Sequence, residues 1–72
     1  MSGASNVTIV LNGETRGVPA GATVLALLET IGIAPGRVAV EVNGRVVRRD
    51  DYLRLVLRDN DKLEVVHLVG GG

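Results

Sequence analysis

The sequence predicts an α+β fold: a mixed sheet of four to five strands with one main helix packed on one face. Three observations lead there. Apolar residues alternate at period two in several short runs, they recur at helical spacing in one run only, and two Asn-Gly pairs punctuate the strand-like runs. At 72 residues the chain holds one domain, and a domain of that size buries only about 60 to 65% of its unfolded surface. A core and a deep catalytic cleft do not both fit.

The elements follow in order. Met1–Ser5 is small and polar and reads as a disordered start. In residues 6–11, Val7, Ile9 and Leu11 share one face of a strand, and Asn12-Gly13 tolerates the positive φ of a type I′ turn. Residues 14–18 return as a short second strand, which Pro19 ends because it lacks an N–H. Thr23 is placed as an N-cap, and Val24, Leu27, Leu28 and Ile31 form one apolar stripe. Gly32 suits the left-handed residue after the last turn, with Ile33 as its apolar contact. A helix of two to two and a half turns needs a sheet to pack on.

After the connector Ala34-Pro35-Gly36, Val38, Val40 and Val42 define a third strand. Asn43-Gly44 repeats the hairpin signal and Arg45–Arg48 forms a fourth, short strand. Residues 49–53 read as a polar bend anchored by Tyr52 and Leu53, residues 55–57 fit either extended chain or a helical turn, and Asp59-Asn60-Asp61 is a turn. The last strand begins at Lys62 and runs apolar to Val69, with Leu63 and Val65 toward the helix and Val66 and Leu68 on the other face. One helix covers one face of such a sheet. Val10, Val66 and Leu68 are therefore expected as an apolar patch on the open face, running toward the C-terminus.

Composition narrows the function. Eight basic and eight acidic residues give a formal charge of zero, and Tyr52 is the only aromatic. A nucleic-acid binder is expected to be basic and to offer stacking rings. Arg45, Arg48, Arg49, Arg54 and Arg58 alternate with Asp50, Asp51, Asp59 and Asp61, which reads as a solvated ion-pair surface. No window approaches the roughly 18 apolar residues of a membrane span, so a cytoplasmic protein is expected. Without cysteine there is no disulfide, thiolate metal site or thiol nucleophile. The single imidazole, His67, has no paired acid or nucleophile in sequence and reads as structural. No nucleophile-base pair or metal cluster suggests an enzyme.

The strand ends in Val69-Gly70-Gly71-Gly72. Three glycines make a thin arm, taken here as residues 70–72 beyond a domain of residues 6–69, able to enter a channel closed to side chains. The group it would offer is the carboxylate of Gly72. An inert tail is the plain alternative.

Three segments carry a family resemblance: Asn12-Gly13 followed by Thr23–Leu28, Val42-Asn43-Gly44 through Val47–Tyr52, and Asp61–His67 leading into Val69-Gly70-Gly71-Gly72. In these the chain resembles the ubiquitin-like β-grasp sulfur carriers of thiamine biosynthesis, the ThiS family, from about Val7 to Gly72. Arg48 stands where that family commonly has proline. The resemblance implies a carrier and co-substrate rather than an enzyme, with no bound cofactor. An E1-like, ThiF-like enzyme would spend MgATP to adenylate the Gly72 carboxylate, a persulfide donor would convert it to a thiocarboxylate, and a ThiG-like thiazole synthase would receive the sulfur. Gly70 and Gly71 would thread the arm, and Val69, Leu68 and Val66 would seat its root on the partner. The small subunit of molybdopterin synthase, a ubiquitin-like protein modifier, and a β-grasp interaction module with an inert tail are the alternatives.

Overall fold

A computed structural model of the chain describes residues 6–68. Five strands, β1 (Asn6–Leu11), β2 (Glu14–Pro19), β3 (Val38–Val42), β4 (Arg45–Val47) and β5 (Lys62–His67), and one helix, α1 (Val24–Ile31), make up the regular structure, with short 3₁₀ turns at Pro35–Arg37 and Arg49–Asp51. The strand order is β2-β1-β5-β3-β4. β5 runs parallel to β1 and antiparallel to β3, so the last described strand lies in the middle of a mixed sheet. This is the predicted fold class.

Both Asn-Gly pairs act as the sequence suggests. Asn12 and Gly13 have φ of 50° and 85°, Asn43 and Gly44 of 53° and 84°, and each pair closes a two-residue hairpin. Positive φ at both central residues matches the twist of the flanking strands. β2 extends one residue further than expected. Pro19 pairs with Asn6 at the end of an outermost strand, where its missing N–H costs no ladder bond. β4 stops at Val47 and β5 at His67, each short of the length read from the sequence.

The helix is short but both its ends are satisfied. The Thr23 hydroxyl accepts from the Ala26 N–H at 3.1 Å, while the Val24 and Leu25 N–H groups donate to the Leu55 and Tyr52 carbonyls at 3.1 and 2.9 Å. The loop after β4 thus supplies the acceptors that a free helix start lacks. At the other end Gly32, at φ 78°, donates to Glu29 O at 3.1 Å and Ile33 donates to Leu28 O at 2.9 Å. That pair of bonds is a Schellman motif.

Val24, Leu27 and Leu28 bury the helix stripe against Ile9, Val18, Val38, Val40, Leu63 and Val65 from four strands. Each such aliphatic side chain contributes on the order of 1.5–3 kcal/mol by leaving water. The bend after β4 departs from expectation. Tyr52 is buried but Leu53 is 68% exposed, and Leu57 takes the core position instead. Consecutive residues of a tight turn point in different directions, so Tyr52 and Leu53 cannot both face inward. Residues 55–57 carry no regular strand, only a single bridge between Thr23 and Val56.

Candidate functional site

β5 links the core to the chain end on which the sequence-predicted site lies. Leu63 and Val65 point into the core, and the alternate residues Glu64, Val66 and Leu68 face away from the helix. Val66 sits opposite Ala39 on β3, and Leu68 N–H continues the ladder one step past the strand by donating to Arg37 O at 2.9 Å. Val66 and Leu68 are 58% and 54% exposed, as the alternation predicts. The other expected site residues, Val69, Gly70, Gly71 and Gly72, lie outside the described residues.

The expected patch is redrawn. Val10 is half-buried and in register with Lys62. Val66 is four residues further along β5, about 13 Å away at strand rise. Val10 therefore does not join Val66 and Leu68. Val46 does belong to the open face, opposite Glu41, and it is the most exposed large apolar residue described, at 72%. The sequence contained the signal, because a two-residue hairpin at Asn43-Gly44 forces Val42 opposite Arg45 and so puts Val46 on the face of Glu41. Between the apolar positions Glu41 and Glu64 stand directly opposite one another. Two like charges in that relation oppose strand pairing, and the open face mixes exposed apolar side chains with this carboxylate pair and with Lys62, two residues from Glu64.

Two asparagines secure β5. The Asn12 side chain accepts from Val65 N–H at 2.8 Å and donates to Val65 O at 3.1 Å, in the manner of one more residue of β1. Asn43 does the same at the strand's start, accepting from Lys62 N–H at 2.9 Å and donating to Asp61 at 2.9 Å. Asp61 also accepts from Arg58 N–H and Asp59 accepts from Thr8 N–H. Both carboxylates thus help to fix the backbone of the turn before β5. His67 is exposed at the end of β5, opposite Val38. No group of three potential metal ligands occurs among the described residues, and no described helix is long and apolar enough to cross a membrane.

The family model that matches this chain is that of the ThiS family, over residues 9–72. The chain belongs to the ThiS family. Members of the ThiS family are small carrier proteins rather than enzymes, and the described fold agrees with solved members. A crystal structure of the thiamine biosynthesis protein ThiS from Geobacter metallireducens superposes with a TM-score of 0.79 at 29% identity, covering 92% of this chain and 100% of that one. Among sequence relatives, a thiazole synthase from Magnetococcus marinus is 50% identical over 64 residues, 89% of this chain. A thiazole synthase from Paramagnetospirillum magneticum is 44% identical over 64 residues, again 89% of this chain. This chain spans about a fifth of the length of either thiazole synthase, 20% in each case. An uncharacterised protein, ycf40 of Pyropia yezoensis, is 37% identical over 94% of this chain and 96% of its own length.

Proposed function

We propose that this chain is a sulfur carrier of thiamine biosynthesis, and that the atom it lends to chemistry is the carboxyl carbon of Gly72. The observation that carries the reading is a ThiS-family match reaching Gly72, on a body whose central strand leads outward past exposed Val66 and Leu68. A carboxylate resists nucleophiles because of its charge and its poor leaving group. An E1-like, ThiF-like enzyme overcomes this with MgATP, forming an acyl adenylate and releasing pyrophosphate. The terminal sulfur of an enzyme persulfide then attacks the acyl carbon and AMP departs. Reduction of the resulting acyl disulfide by a thiol leaves the thiocarboxylate on Gly72.

The thiazole synthase names of two relatives support a ThiG-like enzyme as recipient of the sulfur. The glycines carry no side chain to obstruct a narrow channel, so one arm suits two successive active sites. Val66 and Leu68 seat the root of that arm on each partner, with Val69 continuing the run, and Glu41 and Glu64 favour partners with basic residues at the rim. Removal of Gly72 should abolish pyrophosphate exchange catalysed by the activating enzyme while leaving the circular dichroism spectrum unchanged. Exchange that survives the deletion rejects the proposal. Intact mass after reaction with the activating and persulfide enzymes should show one oxygen replaced by sulfur, whereas lysine conjugates would identify a modifier.

A further inference from the structure

A cleft of about 380 Å³ lies on the far side of β3 from β5, lined by Val42 and the three residues of β4 together with Asp51, Arg54 and Leu55. Its apolar floor is Val42, Val47 and Leu55, all buried or half-buried. Arg45 and Arg54 stand exposed on its walls, with Asp51 as the single acid. Two arginines against one aspartate give the lining a positive charge in a protein of zero formal charge. The volume falls within the roughly 300–1,000 Å³ of small ligand sites.

The cleft also borders an unpaired sheet edge. β4 is the outermost strand, paired only with β3. Odd-numbered residues along β3 direct their main chain to β5, as the bonds from Asn43 N–H to Lys62 O and from Leu68 N–H to Arg37 O establish. Even-numbered residues therefore bond β4, through the pairs Val42 with Arg45 and Val40 with Val47. The main chain of Val46 is left pointing outward, beside the cleft.

We infer that this cleft is a second docking site, and that its occupant is an extended acidic segment of a partner protein. One residue of the segment exchanges main-chain hydrogen bonds with Val46, an adjacent apolar side chain fills the floor, and a carboxylate reaches Arg45 and Arg54. Edge addition, an apolar pocket and a charge-assisted pair are together a known mode of peptide recognition. Charge complementarity selects the acidic segment, and the open edge selects an extended one. The site is separated from β5 by β3 and does not depend on the chemistry at Gly72, so a partner could hold the body here while the arm is engaged elsewhere.

The test uses the full 72-residue chain, labelled with nitrogen-15 and titrated with acetyl-Glu-Ser-Leu-Ser-Glu-amide, acetyl-Gln-Ser-Leu-Ser-Gln-amide and octanoate, the acidic peptide carrying Glu and Leu on one face of an extended strand. The acidic peptide should shift the amide signals of Arg45, Val46, Val47 and Leu55 saturably, and the double substitution Arg45→Gln with Arg54→Gln should weaken it about tenfold or more. The neutral peptide should bind correspondingly less well. Equal binding of the two peptides, shifts centred on Val66 and Leu68, or octanoate matching the acidic peptide would each overturn the inference. The doubly substituted chain should keep the remaining amide pattern, and the single variant Arg54→Gln, with an intermediate loss, covers the case in which it does not.

Discussion

Asn12 and Asn43 do two jobs with one side chain each. Both adopt positive φ to turn a hairpin, and both hydrogen-bond the main chain of β5. The turn role was legible, because Asn-Gly tolerates that backbone on local grounds. The bond to Val65 was not, since 53 residues separate the partners. The two roles can be separated experimentally. Asn12→Gly keeps the backbone freedom and removes the side chain, so it should cost about 1–2 kcal/mol in urea denaturation, from the lost bonds to a partly buried strand. Asn12→Ala adds left-handed strain and should cost about 1 kcal/mol more. A neutral Asn12→Gly would mean that water replaces the clamp without loss. Tyr52 and Leu53 make the opposite point. Their hydrophobicity alone ranks both as anchors, and only the direction of the turn decides that Tyr52 enters the core.

The helix was the most legible element. Its cap, its stripe and its stop are set by neighbours three or four residues apart, and Thr23, Val24, Leu27, Leu28 and Gly32 all hold the predicted positions. What the sequence concealed is how so short a helix starts without a capping box. The loop carbonyls of Tyr52 and Leu55 do that work from a distant part of the chain. Thr23→Ala should therefore lower stability by only about 1 kcal/mol, one bond among three. Gly32→Ala should cost about the same or slightly more in thermal unfolding, and for a purely backbone reason, because a Cβ there meets no atom within 4 Å. A much larger loss would point to a packing role that the structure does not contain. Strands were legible by their alternation, yet their ends shifted by a residue or two where pairing stopped before the pattern did.

For the molecule as a whole, the central placement of β5 links fold to function. Its first residues are held between β1 and β3, and its later ones by β3 with the Asn12 side chain on Val65, which fixes the direction of the strand. The exposed positions on its outer face contribute little to stability. Substituting Val66→Asp together with Leu68→Asp should lower stability by only about 1 kcal/mol, from strand propensity and repulsion with Glu41 and Glu64, yet raise the KM of the activating enzyme for this chain about tenfold or more, because a buried unpaired charge is costly at an interface. Val65→Asp, one residue away and facing the core, should unfold the chain. If the double variant is activated normally, the open face is not the docking surface.

From its residues alone the chain specified five strand patterns, one capped helix, two type I′ hairpins and the family of carriers that it joins, because periodicity, turn chemistry and terminal glycines are local properties. The tertiary structure decided which strands are neighbours, that Val10 is remote from Val66, that Val46 joins the open face, and that a positive cleft opens beside β4. Those relations arise when faces distant in sequence bury one another, and no window of consecutive residues contains that information.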